Sequence, residues 1–424
     1  MKKITLILSI PLFMHAATLS TLFNGLKQHA HTKSDEILVL KSETGQDAVH
    51  ARLYPKINLF GSYDHYTIPT GMIPLPPNDM LKLVKDPSNP SQPFSNDIMR
   101  GGVNFTMPLF VKSLYTMADK AEALQKSAKA KKRINLIRNE AVIVGANANL
   151  LYLKSLTRSL NAKERSLRET QRTVKLKVST GRSPESALYK INDQLNQISI
   201  AKNNIEIQSK AIISTIQSLT GIALSQPVSM KKISNIHVGE ITALDPIKEK
   251  LRAQHLGAKA EKEKFYPSVN LHGSYVYSQG EAYNTGSDMH EKYGNIGVNI
   301  SMPLFAMDQH ESLALARLEV RSAQIELDKQ REELQAQAEQ LHASLPLLKR
   351  SKQLYQKSIK DKEKLLKIAK VNYQSGRLST EEYLRYEDAV VAQKANLYKT
   401  IATEWQTLVQ LAVIYGNNIE ELVR

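Results

Sequence analysis

The chain has 424 residues, no cysteine, and 57 Lys and Arg against 41 Asp and Glu, a formal net charge of +16. The missing thiols exclude a disulfide framework, a thiolate metal site, a cysteine nucleophile and the cysteine of a bacterial lipoprotein anchor. Length alone suggests about three domains, and the basic balance suggests nucleic acid or an anionic membrane surface.

Residues 1–17 carry Lys2 and Lys3, an apolar run from Ile4 to Phe13, and small residues at Ala16 and Ala17. This order predicts a secretory signal cut near Ala16 or Ala17. Export removes nucleic acid from the partners. No later window holds about 20 consecutive apolar residues, so no transmembrane helix is expected. Residues 18–53 read as an N-terminal helical segment. Within it, His29 and His31 could hold a metal as a short pair, but they fit an exposed, mobile N-terminus better.

The remainder is a duplication. Asn104-Phe-Thr-Met-Pro-Leu-Phe110 recurs as Asn299-Ile-Ser-Met-Pro-Leu-Phe305, 195 residues on. Thr180-Gly181-Arg182 recurs as Ser375-Gly376-Arg377, and Thr220-Gly221 as Tyr415-Gly416, at the same offset. One offset across three anchors means no net insertion between them. Upstream, Tyr54-Pro55 matches Tyr266-Pro267 at an offset of 212, so the first copy holds 17 extra residues. They fall in 67–97, where seven prolines from Pro69 to Pro93 predict a loop without helix or central strand.

Each copy opens on two strand patterns. Val269, Leu271, Gly273, Tyr275 and Tyr277 share one parity, with Asn270, His272 and Ser274 on the other. Residues 103–107 and 296–302 alternate in the same way, and 57–66 is a further strand signal bounded upstream by Pro55. Period-two alternation marks a strand with two unlike faces. In an exported chain it suits an outer-membrane barrel, although a small soluble sandwich reads alike. The first strand pair with its Pro-rich loop takes residues 54–108, and the second pair takes 266–303.

Helical periodicity follows, in 109–221 and 304–416. Pro108 to Gly181 and Pro303 to Gly376 are both 73 residues, enough for a helix of ~110 Å. Stripes such as Ile134–Ile137–Ala141–Val144–Ala148–Leu151, Leu313–Ala316–Val320–Ala323–Leu327 and Leu188–Ile191–Leu195–Ile198 predict side-by-side coiled-coil helices. Gly145 and Pro346 predict a bend or break in the descending arms. Gly181 and Gly376 predict hairpin tips. Ser183-Pro184-Glu185 reads as a capped restart after the first, and Ser379 with Glu382 as a capping box after the second. Residues 222–265 form a linker or equatorial segment and a helix. The linker part, to residue 250, should be irregular, with room for a short strand at 228–238. Residues 417–424 are a C-terminal tail.

The fold class is therefore mainly α with a small β part: long coiled-coil hairpins plus two strands per repeat. Four strands cannot close a barrel, since about eight are needed, and lipid does not tolerate open edges. If the strands are membrane strands, the chain must oligomerise with closed symmetry.

The leader, the duplicated Tyr-Pro strand, the Met-Pro-Leu-Phe exit, the long hairpins and the Gly-Arg tips together resemble the TolC-like outer-membrane efflux factor family, across essentially the whole mature chain. The resemblance implies a homotrimeric α/β-barrel conduit in the outer membrane of a Gram-negative bacterium, extending into the periplasm and touching outer-membrane lipid. It implies a channel in a tripartite efflux or secretion system and not an enzyme. Partners would be a periplasmic adaptor (membrane fusion) protein and an inner-membrane pump, reached directly or through the adaptor. The adaptor-docking positions would be Gly181, Arg182 and Ser183, and Gly376, Arg377, Leu378 and Ser379. A periplasmic gate would use Tyr373, Glu381 and Glu382. Arg385 stands where an acid is common in the family, which favours a mixed-charge gate over a double ring of acids. Drugs, metal ions or a secreted protein are all open as cargo.

No hydrolase, P-loop, dinucleotide or zinc-protease motif occurs, so no catalytic residue, metal or cofactor is expected. The alternative reading is a soluble periplasmic coiled-coil structural or adaptor protein.

Overall fold

A computed structural model describes residues 18–85 and 91–424. The expected leader at 1–17 lies outside the described residues. In chain order the elements are α1 (Leu19–Gln28), α2 (Ala30–His50), β1 (Lys56–Gly71), α3 (Pro77–Lys85), β2 (Phe94–Phe110), α4 (Lys112–Ser179), α5 (Ser186–Thr220), α6 (Asp245–Glu263), β3 (Ser268–Glu281), β4 (Asp288–Ser301), α7 (Met307–Gln374), α8 (Thr380–Tyr415) and α9 (Ile419–Leu422). No described helix is long and apolar enough to cross a membrane. The chain forms two compact units, and each draws segments from both sequence copies. One unit takes the chain up to Val39, Lys129–Pro246 and Asp328–Arg424; the other takes Leu40–Ala128 and Ile247–Leu327.

In the first unit, Leu19, Leu22, Phe23 and Leu26 sit at helical spacing on α1 and are all buried. Each is worth about 1.5–3 kcal/mol on burial, which holds a ten-residue helix that would be marginal alone. They pack with Ile137 and Val144 of α4, Ile216 of α5, Ala412 of α8 and the tail residues Ile419 and Leu422. His29 is half-buried, and its ring lies beside Gly221 at the end of α5. The expectation of a mobile N-terminus is thus corrected: the apolar face of α1 ties this segment down. No group of three or more His, Cys, Asp or Glu side chains suited to a metal occurs among the described residues.

A second core runs along the hairpins. Leu153, Leu160, Leu167 and Val174 recur every seven residues on α4, and Ile191, Ile198 and Ile205 do so on α5. Period seven keeps the seam of each helix on its partner. Polar contacts link α5 to α4 through Gln171 and Asn192 (2.6 Å) and through Lys202 and Glu164. They link α4 to α8 through Lys163 and Asp388, and α8 to α7 through Lys394 and Glu363 (2.7 Å). This order leaves α5 and α7 outermost.

Of the bend or break expected at Gly145 and Pro346, the break does not occur: α4 and α7 each run 68 residues without interruption. Gly145 keeps its N–H and costs about 1 kcal/mol of propensity. Pro346 removes one intrahelical donor. Around it, Leu341 and Leu345 pack with Leu411 and Ile414 of α8, and His342 bonds the Tyr415 hydroxyl at 3.0 Å. Tertiary packing overrides both local penalties.

The linker is irregular up to Asp245, where α6 begins, earlier than the expected end at 250. The short strand anticipated at 228–238 is a brief antiparallel pairing with the tail: Lys231 and Arg424 exchange backbone bonds (2.7 and 3.0 Å), and Ile233 N–H donates to Leu422 (2.9 Å). Fully buried Asn147 of α4 pins the linker. Its Nδ2 donates to the Val228 carbonyl and its Oδ1 accepts from the Val228 N–H, both at 2.8 Å.

The second unit holds one antiparallel sheet, in the order β1–β2–β3–β4. The strands run 16, 17, 14 and 14 residues, longer than the sequence pattern alone marks. The central pairing, β2 with β3, joins the two sequence copies. The 67–97 loop is also corrected. Pro77 starts α3, where a missing N–H costs nothing, β1 runs through Pro69 to Gly71, and β2 begins at Phe94.

Replacing Asn147 with Ala leaves the Val228 N–H and C=O buried without partners. The expected loss is about 2–4 kcal/mol, read as a lower urea midpoint, with faster hydrogen exchange confined at first to residues 226–233.

Candidate functional site: sheet faces and hairpin tips

Register determines what the sheet can do. Ile57, Leu59 and Tyr63 of β1 stand opposite Phe105, Val103 and Met99 of β2. Val103 and Met107 stand opposite Tyr275 and Leu271 of β3, and Leu271 and Val269 opposite Val298 and Ile300 of β4. One face is thus apolar, and it lies open: Leu59 is 83% exposed and Ile296 73%. The other face carries a polar row. Asn58, Asn104, Ser274 and Asn295 are successive cross-strand partners, with Asn58 donating to Asn104 at 3.1 Å and Ser274 to Asn295 at 2.5 Å. Bulky rings fill the places where glycine leaves space. Phe60 lies over Gly102 and Phe105 over Gly273, each directly opposite in register; a Cβ on Gly273 would collide with the Phe105 ring, and one on Gly102 would collide with the Tyr275 carbonyl and crowd Phe60. Both outer strands lack a partner on one side among the described residues.

At the first tip, Gly181 adopts φ 68°, the Arg182 N–H donates to the Lys177 carbonyl (2.7 Å) and the Gly181 N–H to Val178 (3.0 Å). At the second, Gly376 adopts φ 78°, with Arg377 to Asn372 at 2.8 Å and Gly376 to Tyr373 at 3.1 Å. These are paired Schellman closures, which require a left-handed residue. Nothing lies within 4 Å of where a Cβ would sit on either glycine, so backbone sign, not crowding, selects them. Arg182 and Arg377 are exposed beside them, while Leu378 packs onto the hairpin core.

The tips differ after the turn. Ser379 and Glu382 form the expected capping box: Glu382 N–H to Ser379 Oγ at 3.2 Å, and Ser379 N–H to Glu382 Oε2 at 3.0 Å. The first tip has no side-chain cap, contrary to the reading of Ser183. α5 begins three residues later, at Ser186, behind Pro184 and Glu185, whose carbonyls accept from Ala187 and Leu188.

The four candidate gate residues are not equivalent. Tyr373 is only 7% exposed, and its ring stacks on Tyr383 at 4.9 Å within the chain's own core. Glu382 is engaged in the cap, which holds its carboxyl below the usual range. Glu381 accepts from Lys190 at 2.8 Å and Arg385 at 3.3 Å, and both cations keep it ionised, Lys190 first. Lys190 and Glu381 therefore tie the two hairpins together, with Arg385 completing a mixed-charge triad.

A neighbouring cluster escaped the sequence reading. Glu387 of α8 is 5% exposed and accepts from Tyr383 Oη (2.8 Å) and from Ser166 Oγ of α4. Its second oxygen has no partner among the described residues. Burial pushes the Glu387 carboxyl up and the Tyr383 hydroxyl up to about 12. An acid on an apolar stripe, between Leu384 and Val391, was the available signal.

Because the carboxyl is raised, its contribution to stability is present below the ordinary carboxylate range and is lost as pH rises through the shifted value. Glu387→Gln keeps an acceptor for Tyr383 and Ser166 and removes the charge. Thermal unfolding at pH 8 should occur at higher temperature in the variant, and the difference should vanish near pH 4.

Residues 248–417, which include β3, β4 and the second hairpin, match the family model described as outer membrane efflux protein. No curated protein matches the sequence. Among solved structures, the outer membrane channel CmeC of Campylobacter jejuni is similar at TM-score 0.77 and 16% identity, over 94% of this chain and 85% of that one. A membrane protein from Pseudomonas aeruginosa is similar at TM-score 0.80 and 14% identity, over 95% and 91%. The outer membrane protein VceC of Vibrio cholerae is similar at TM-score 0.77 and 15% identity, over 94% and 96%. At these identities the likeness establishes the fold. The fold class expected from the sequence, long helical hairpins with a small strand part, is borne out, and the family resemblance is matched over residues 248–417. That family is one of efflux channels, not of enzymes.

Proposed function

We propose that this chain, which carries an outer membrane efflux protein domain at residues 248–417, is the outer-membrane channel of a tripartite efflux or secretion system. It acts as a homotrimer that conducts substrate from the periplasm to the exterior. The observation that carries this reading is the open four-stranded sheet, with one exposed apolar face, one polar face and two unpaired edges. Apolar-out and polar-in is the arrangement of a barrel in lipid, and only closure with other copies removes the edges. The lumen would then be lined by the Asn58–Asn104–Ser274–Asn295 row.

The helices support the same closure. Ile200 and Ile207 on α5, and Leu347, Leu354 and Ile368 on α7, are exposed at heptad-related spacings. A heterologous interface, α5 of one copy on α7 of the next, covers both stripes and repeats around a ring. The matching sheet contact is β1 of one copy with β4 of the next. Gly181, Arg182, Ser183 and Gly376, Arg377, Leu378, Ser379 present the docking surface for a periplasmic adaptor, which connects an inner-membrane pump. Glu381 and Arg385 are the gate charges, and Lys190 is their partner across the hairpins. Tyr373 supports the gate from the core and Glu382 by capping its helix.

Membrane fractionation tests the channel reading: the protein should need detergent for release and run as a crosslinkable trimer. Recovery in the soluble periplasmic fraction overturns the reading in favour of a soluble coiled-coil protein. Ile200→Glu with Ile207→Glu should abolish the trimer on crosslinking while far-ultraviolet circular dichroism keeps its helical signal.

A further inference from the structure

A groove of about 590 Å³ lies between α4 and α7, over α8. Its floor is apolar: Ala162 of α4, Leu366 of α7, and Val390 and Val391 of α8, with the Tyr383 ring beside them. Its rim is cationic. Lys360, Lys364, Lys367 and Lys370 follow one another at spacings of four, three and three on α7, which puts them on one side of the helix.

Charge within the groove is unbalanced. Lys163 and Lys394 also line it, but Asp388 and Glu363 neutralise them. The four rim lysines are exposed and have no hydrogen bond or ion pair among the described residues. Glu387 is buried beneath the rim, and one of its oxygens is engaged by Tyr383 and Ser166 rather than by a rim lysine. Like charges three and four residues apart on a helix repel one another, and a bound anion relieves that repulsion.

The rim also stays open in the proposed assembly. α7 buries Ile359, Leu366, Ala369 and Tyr373 against its own chain. At 3.6 residues per turn, Leu347, Leu354 and Ile368 fall to one side of that buried face and the lysines to the other. A neighbouring copy seated on the leucine stripe leaves the lysines uncovered.

We propose that this groove binds an anionic amphiphile: an apolar chain or ring lying on the Leu366–Val390–Val391 floor, with a carboxylate or other oxyanion head on the Lys360–Lys370 rim. Its volume falls in the range of small-molecule sites. The two halves of the ligand act together: the floor gains from burying an apolar body, and the rim from pairing an oxyanion. The site is a property of α4, α7 and α8 alone, so its test does not depend on transport.

The probe is a 16-carbon fatty acid bearing a photoactivatable diazirine on its chain, presented to the full protein in neutral-detergent micelles. Labelled peptides are mapped by mass spectrometry. Labels should concentrate in residues 360–370 and 383–394, and the matched fatty alcohol should not give them. Lys364→Gln with Lys367→Gln should lower labelling about fivefold to tenfold, as expected for two lost ion pairs at a partly exposed site. The Lys→Arg pair should restore it, and unchanged circular dichroism verifies folding of both. An excess of pyrophosphate that fails to compete supports the requirement for an apolar body. Equal labelling by the alcohol, label spread evenly along the helices, or insensitivity to the glutamine pair overturns the proposal. So does protection of Lys360–Lys370 from amine acetylation by an acidic helical peptide together with no fatty-acid labelling, which would assign the groove to a protein segment.

Discussion

Along β1 and along β4, one row of backbone N–H and C=O groups has no partner within the chain. In water such rows are tolerated and invite pairing. In hydrocarbon each group costs several kcal/mol, and the total exceeds what any domain's net stability can absorb. The sheet's exposed apolar face makes water the wrong solvent for the same strands. These two demands conflict for a single copy, and the proposed closure with other copies reconciles them. The rest of the structure is consistent with that constraint: fourteen- to seventeen-residue strands, longer than a bilayer crossing requires, glycines that admit rings from the next strand, and a polar row on the face opposite the apolar one.

In the helical unit the same division of labour is carried by heptads rather than by strand parity. The inner seams are leucine and isoleucine at intervals of seven, locked by polar pairs between α4 and α5 and between α4 and α8. α7 has three distinct faces: one buried in its own chain, one apolar and open, one lysine-rich. On such a helix a one-residue slip would rotate charge into an apolar seam.

Much of this was legible in the sequence. The constant offset located both hairpins, and the parity of Val269, Leu271 and Tyr275 located the strand faces. Gly181, Gly376 and the Ser379–Glu382 box were legible because their chemistry is local. What was not legible depends on tertiary partners. Pro346 reads as a break until Leu411 and Ile414 are seen against the turn that holds it. A proline-rich loop conceals α3, because proline forbids helix interiors and not helix starts. Ser183 resembles a cap, yet the first helical turn begins beyond its reach. Glu387 reads as a solvated acid until Ser166 and Tyr383 converge on it from two helices.

The pairing of β2 with β3 places Phe105 opposite Gly273, residues more than 160 apart in the chain. Everything between them, including the first hairpin, is a loop that must be closed before the sheet's centre can form. The entropy of that closure grows only slowly with length, but its delay sets a sequence of events. The helical arms can form from neighbours along the chain, whereas contacts this distant are characteristically slow. An emerging chain therefore holds the β1–β2 pair, with its apolar face and a free β2 edge, until the second copy has been made. The duplicated architecture thus creates an interval in which the first strand pair stands exposed while the helical arms are already able to form.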